Sequence, residues 1–251
     1  MNTQSLEELT VYYIHREKRR IGNIHDGGYV INMLPGSYDM FISGGISNDI
    51  SFEEQLLELY PGLTCYAFDG TIPSLPKDSK NIVFHQKNLG TYETDTTSNL
   101  DGYIRNYKNI FLKIDIEGHE FRLLPSLYEN GHMERFKQIV IEIHSPSDIH
   151  LNPDYYPTLQ DIDNDFMFKC LCRLNETHIL AHFHANNGCP IAKFGDTEVP
   201  HVFELTYVRN DLADRIEKNK IPLPMDIDSK NISSNNDYYF DKPPYCESLD
   251  R

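Results

Sequence analysis

Short apolar runs recur along this chain at strand length, each closed by glycine or polar residues and most followed by an amphipathic stretch. Tyr38–Ser43, Leu63–Phe68, Asn81–His85, Asn109–Asp115 and Gln138–Ile143 read as strands, and His178–Ala185 and His201–Arg209 as two more. Between them, Phe52, Leu56, Leu57 and Tyr60 mark one helix face, and Phe121, Leu124 and Leu127 a second. Thr96–Tyr107 and Tyr155–Cys170 also read as helical. Alternation of this kind requires a mainly parallel sheet with helices on both faces, so the fold class is α/β. The last two strands lack a helix-length insert and are expected to pair antiparallel. Residues 1–20 read as a helix, with Leu6, Leu9, Val11, Tyr13 and Ile14 as its stripe, and a glycine-rich entry segment follows to about residue 35. The α/β domain is therefore placed at residues 1–210. Residues 211–251, rich in Asp, Asn, Ser and Pro, form a tail that packs on the domain or trails from it.

The balance of 38 acidic against 23 basic side chains gives a net charge of −15. That charge disfavours a nucleic-acid partner, whose phosphates are held chiefly by Lys and Arg. The exception is the basic cluster from His15 to Arg20, which reads as the solvated face of the first helix or as an anion-binding arm. No apolar stretch approaches the roughly 20 residues that span a bilayer, and the opening MNTQSLEELT has no basic-then-apolar leader. A membrane partner is thus not expected, and a cytoplasmic location is. Five scattered cysteines without zinc-type spacing fit reduced thiols in that compartment.

In open parallel sheets, ligands bind beyond the carboxyl ends of the strands. The polar residues of this sequence collect there. The first sheet strand ends in Gly44-Gly45, where absent side chains let a cofactor approach the backbone. The second ends in Asp69-Gly70, where a carboxylate could grip a ribose diol. A plain turn and a helix cap explain each feature equally well in isolation. The fourth strand is more telling: strand parity puts Lys113, Asp115 and Glu117 on one face, and unpaired charge is costly to bury. Glu142 with His144, and His182 with His184, share faces in the same way.

The segment Phe111-Leu112-Lys113-Ile114-Asp115-Ile116-Glu117-Gly118-His119-Glu120 resembles the lysine–aspartate–glutamate–glycine motif of FkbM-like S-adenosylmethionine-dependent methyltransferases. Arg20-Ile21-Gly22, Asp26-Gly27-Gly28-Tyr29-Val30, Ser43–Glu53, Phe68-Asp69-Gly70-Thr71, His182–Asn187 and Phe203–Tyr207 resemble a related methyltransferase-domain group, in family order. One departure is the first glycine loop, Ser43-Gly44-Gly45-Ile46-Ser47, in place of three alternating glycines. The resemblance implies a Rossmann-like class I methyltransferase fold of seven strands, one antiparallel, and methyl transfer from S-adenosylmethionine. It implies that Gly44 and Gly45 face the cofactor, Asp69 and Gly70 its ribose, and Asp115 with Glu117 the methionine end or the acceptor. Asp26 to Tyr29, Gly28 included, would close over the pocket.

The resulting expectation is an O-methyltransferase acting on a small-molecule or glycan hydroxyl, with Asp115, Glu142 and His144 as catalytic groups on the acceptor side. A divalent metal held by Asp115, Glu142, His144 and His184 is a further expectation, since mixed oxygen and nitrogen ligands suit manganese, iron or zinc. Two other readings share the same sheet: a non-catalytic nucleoside- or protein-binding module, and a nucleotide-sugar enzyme. The methyl acceptor and the oligomeric state are not legible in the sequence.

Overall fold

The structure is a computed structural model, and it describes residues 6–213 and 215–247. Seven strands build the central sheet: β1 (Met40–Gly44), β2 (Cys65–Phe68), β3 (Ile82–His85), β4 (Ile110–Ile114), β5 (Phe136–His144), β6 (His178–Ala185) and β7 (Val202–Arg209). Their order across the sheet is β6-β7-β5-β4-β1-β2-β3. Only β7 runs against the rest, pairing antiparallel with both β5 and β6. This is the Rossmann-like class I methyltransferase arrangement. The chain leaves β1 outward toward β3 and returns to pair β4 with β1 (Gly44 opposite Ile114), which makes the carboxyl ends of these two strands the topological switch point.

The helices are α1 (Ser51–Leu59), α2 (Asp101–Ile104), α3 (Glu120–Glu129), α4 (Pro146–Leu151) and α5 (Asn164–Thr177). Asp49 starts α1 by accepting hydrogen bonds from the Ser51 amide and hydroxyl (2.9 and 2.8 Å), and Phe52, Leu56 and Leu57 bury its inner face. One face of the sheet packs α3 and α5 over Leu112, Ile139, Ile141 and Ile143. The other packs α1 and an antiparallel hairpin, Lys18–Gly22 with Gly28–Asn32, over Phe41, Phe111 and Val140.

Several expected elements differ. Within the described part of residues 1–20 there is no long helix but a 3-10 turn at Glu7–Leu9 and strands at Tyr12–Ile14 and Lys18–Gly22. The reason is pairing: the Tyr-Tyr-Ile run finds a partner strand at Ile216–Lys218. The basic cluster is accordingly not a helix face. Lys18 points inward to the Ala181 carbonyl (2.8 Å), and the Arg20 guanidinium donates to the Asn23 and His25 carbonyls. Thr96–Tyr107 is helical only over α2, because Thr97–Ser98 pairs with Asn88–Leu89. The helix expected at Tyr155–Cys170 begins later, at Asn164, where the Asp163 carboxylate accepts from the Phe166 amide (2.8 Å). Ser145-Pro146 ends β5 as expected, but it also starts α4, with proline in the first turn.

The described part of the tail is folded onto the sheet. Phe240 and Tyr245 pack against Phe183, with ring centroids 5.8 and 4.5 Å away, and Asp228 hydrogen-bonds the buried His182 (2.7 Å). Among the described residues no helix is long and apolar enough to cross a membrane.

Candidate active site

Beyond the ends of β1 and β4 lies a cavity of about 630 Å³. Of the two glycines at the end of β1, Gly45 is required by the protein's own packing. A Cβ on Gly45, whose φ is +77°, would lie 1.6 Å from the Asp115 carbonyl oxygen, and one on Gly44 would lie 2.4 Å from Leu89. Gly45 lines the cavity, whereas Gly44 does not. Ile46, Phe52, Phe68, Leu89 and Ile116 supply apolar wall. Six acidic residues, Asp26, Asp49, Glu53, Asp69, Asp115 and Glu117, line the same space, with Lys113 the one lysine among the lining residues. The Lys113 ammonium is turned into the protein, donating to the Gly45 carbonyl (2.8 Å).

Asp69 sits at the end of β2 as expected, but its hydrogen-bonding capacity is used within the chain. One oxygen accepts the Ile46 and Ser47 amides (3.0 and 2.8 Å), and the other the Thr71 amide and hydroxyl (2.7 and 2.6 Å). These four donors match the roughly four lone-pair sites of a carboxylate. Although partial burial opposes ionisation, they hold Asp69 below the usual carboxylate range. Gly70 lies behind the wall, where a Cβ would strike the Asn88 side chain at 2.5 Å.

On the opposite side, Asp115 accepts a hydrogen bond from the Tyr29 hydroxyl (2.8 Å), delivered by the hairpin. Glu142 lies one layer deeper, outside the cavity lining. Burial first, then the charges of Asp115 and Glu204 and a hydrogen bond shared with Asp115, push its carboxyl well above the usual range. It also accepts from the Asn186 amide group (3.1 Å). The chain continues through Glu204 to Asn231, which donates to Glu204 (2.8 Å) and to Asp26 (3.3 Å), so the tail braces the turn that carries Asp26. Gly28 closes that turn against the Asn23 carbonyl and does not reach the cavity.

Strand geometry stops at Ile114, so Glu117 reaches the site by a turn and not by strand parity. Its φ of +54° and the +81° of Gly118 reverse the chain into α3 and turn the Glu117 side chain toward the cavity mouth. Behind it stands His144, 7% exposed. The His144 Nε2 atom is 3.4 Å from a Glu117 oxygen, and its Nδ1 donates to Asp148 (2.9 Å), which also accepts from the Tyr156 hydroxyl (2.8 Å). Burial works against a charged imidazole here. The Asp148 hydrogen bond and the charges of Glu120, Glu117 and Asp115 outweigh it and raise His144 to about 9. Glu120, fully buried on α3, accepts from the His144 amide (2.9 Å), and burial pushes its carboxyl up to about 7.

The structure thus brings Asp26, Gly45, Asp69, Asp115 and Glu117 to one cavity and sets Glu142 and His144 directly behind it. His184 is elsewhere in the polar layer, against Glu204 at 3.2 Å. Asp148, Tyr156 and Asn231 were not singled out from sequence. For Asp148 a signal was present: it lies one helical turn beyond His144, past a Ser-Pro helix start.

The chain matches the model of the methyltransferase FkbM domain over residues 10–174. No curated protein matches it in sequence. Among solved structures, 38 chains are similar. One belongs to the complex of the Haloferax volcanii Trm112 methyltransferase activator with a methyltransferase (8% identity, 70% of this chain and 85% of that one, TM-score 0.39). Others are the methyltransferase CalO6 (11%, 67% and 56%, 0.36) and an rRNA-methylase of Clostridium thermocellum (11%, 70% and 91%, 0.35). Likenesses this distant carry no weight beside the family match, which spans most of the sheet and both acidic strand ends. This chain belongs to the FkbM methyltransferase domain family.

Proposed function

We propose that this methyltransferase transfers the methyl group of S-adenosylmethionine to a hydroxyl oxygen of a small molecule or sugar. The observation that carries the reading is the acidic cavity at the switch point. Its volume lies within the roughly 300–1,000 Å³ of small-molecule sites, and its apolar wall is interrupted by six carboxylates. A cationic sulfonium cofactor suits that field, whereas the diphosphate of a nucleotide sugar would be repelled by it. The same field disfavours a nucleic-acid acceptor.

Bound S-adenosylmethionine would supply a methyl carbon for in-line attack by an acceptor oxygen, the O–C bond forming as the C–S pair returns to sulfur and S-adenosylhomocysteine leaves. Phe68, Leu89 and Ile46 would hold the flat, apolar part of the cofactor. Asp69 would meet the ribose after displacing the Thr71 hydroxyl. On the acceptor side, Asp115 is fixed by Tyr29 and by the hydrogen bond it shares with Glu142, so it orients a hydroxyl without itself having to reorganise. Asp115 or Glu117 then takes the hydroxyl proton, a contribution of ~10²–10⁴-fold for general bases. His144, cationic when the site is otherwise empty, steadies this pair of carboxylates.

The test combines binding with turnover. S-adenosylhomocysteine should raise the melting temperature where UDP-glucose does not, and labelled methyl should pass to a hydroxylated acceptor from extract. Asp115→Asn should leave the fold and cofactor affinity in place and lower transfer by ~10²-fold or more. Stabilisation by UDP-glucose alone would overturn the reading; cofactor binding without transfer to any fraction would leave a binding module.

A further inference from the structure

We infer that Asp115, Glu117 and His144 form a site for a divalent first-row transition cation of the manganese class at the acceptor end of the cavity. The inference rests on the methyltransferase reading and adds a cofactor to that same site. One ligand atom from each of the three residues lies within 4.8 Å of the other two. In a six-coordinate site with bonds of about 2.1 Å, ligand atoms stand ~3 Å apart when adjacent and ~4.2 Å when opposite, so small side-chain rotations close the set.

Three acidic or imidazole groups in proximity are common, and the case depends on His144. Its Nε2 atom is buried, makes no hydrogen bond, and faces the two carboxylates. As a cation the ring leans on the Glu117 carboxylate 3.4 Å away without a hydrogen bond to it, and a metal ion that displaced the Nε2 proton would take up the space between them. Its Nδ1 is committed to Asp148, which is itself held by Tyr156. With Nδ1 held by a carboxylate, release of the Nε2 proton on metal binding would leave that nitrogen's lone pair for the cation, the usual outer support of a metal-bound histidine. The buried Nε2 points toward the cavity from behind, while Asp115 and Glu117 line it, so the open positions of the cation would face the acceptor.

Two carboxylates and one imidazole favour manganese, iron or zinc over magnesium, which prefers oxygen ligands and retained water. The other candidates fall outside the set. Glu142 lies behind the cavity wall, 4.0 Å from His144 Nε2 and hydrogen-bonded by Asn186, and His184 is paired with Glu204. A Lewis acid held here would lower the pKa of an acceptor hydroxyl so that its proton could leave to solvent, and with the cation bound Asp115 and Glu117 would serve as ligands in place of the base role they take without it.

The experiment titrates Mn²⁺ into the full, chelator-treated chain and follows it by electron paramagnetic resonance, with S-adenosylhomocysteine binding measured alongside by calorimetry. One Mn²⁺ per chain is expected, with ¹⁴N coupling from a coordinated imidazole in the echo-modulation spectrum. Glu117→Gln, on the half-exposed rim, should weaken Mn²⁺ binding ~10-fold or more, and His144→Gln should abolish the nitrogen signal. Glu93→Gln, remote from the cavity, should change neither. Absence of stoichiometric Mn²⁺ binding, binding without nitrogen coupling, or Glu117→Gln affinity equal to wild type would each overturn the site. If cofactor binding persists in those cases, the methyltransferase reading stands without the metal.

Discussion

Asp69 illustrates what a single carboxylate commits to before any ligand arrives. Two of its donors are backbone amides that shape the turn after β1, and the other two come from Thr71. A ribose diol can compete only with the Thr71 hydroxyl, since displacing the amides would leave orphaned donors at the cavity base. Thr71→Ala should therefore keep or improve cofactor affinity, whereas Asp69→Ala should weaken it several-fold and lower the melting temperature; calorimetry and thermal melts read both. A loss of affinity in Thr71→Ala equal to that in Asp69→Ala would contradict this division. The position of Asp69 was legible as a strand end, but its saturation was not, because two of the three amides it binds, those of Ile46 and Ser47, lie more than twenty residues away. The glycines carry the converse lesson. Gly44 and Gly45 stand out in the sequence as backbone left bare for a cofactor, yet a Cβ at either would first collide with Leu89 or Asp115.

His178 sets a pH response at the same scale. It opens β6, its Nε2 donates to the Phe136 carbonyl (2.8 Å), and burial holds its imidazole down to about 4 from an ordinary 6.5. The native state keeps this ring neutral, while the unfolded chain protonates it below 6.5. Its stabilising contribution is thus complete above pH 6.5 and is lost as pH falls through about 4, to the extent of ~3 kcal/mol. Urea unfolding of wild type and His178→Gln at pH 7 and pH 4 should show the variant losing less stability by about that amount. Parallel losses would place the acid sensitivity elsewhere.

At the scale of elements, the strands were legible because period-two apolar runs bounded by turns have few other readings. Helices were less so. The acidic run Asp161–Asp165 weakens a helix that spans it, but it suits a helix that begins there, and Asp163 is the cap. The tail was hardest, since its polar composition hides two anchors. Phe240 and Tyr245 contact each other (4.6 Å between centroids) and Phe183, and Leu223 pairs with Phe240 through the backbone. On the same stretch of chain, Asp228 reaches His182 and Asn231 reaches Glu204, so sequence distant from the family match closes the polar layer behind the cavity. Phe240→Ala should cost ~3–5 kcal/mol in urea unfolding, the range for a buried aromatic, with m unchanged. A cost under ~1 kcal/mol would mean the tail only rests on the domain.

Over the whole molecule, charge decides which ligands arrive. Six of the chain's 38 acidic residues line the cavity at the switch point, in a molecule whose net charge is −15. S-adenosylmethionine carries one positive charge more than S-adenosylhomocysteine, so the field should attract the substrate cofactor and release its neutral product. Screening tests this directly, because the Debye length falls from ~20 Å near 20 mM salt to ~4 Å near 500 mM. Across that range the association rate of S-adenosylmethionine should drop several-fold in stopped-flow measurements, with S-adenosylhomocysteine nearly constant. Equal salt slopes for the two would show that the carboxylates are neutralised by one another or by protons. Neutralisation by the proposed cation would instead flatten the slope only when Mn²⁺ is present, since two of the six lining carboxylates, Asp115 and Glu117, are its ligands. Running the salt series with and without Mn²⁺ therefore separates a cavity that is acidic by itself from one that its cation completes.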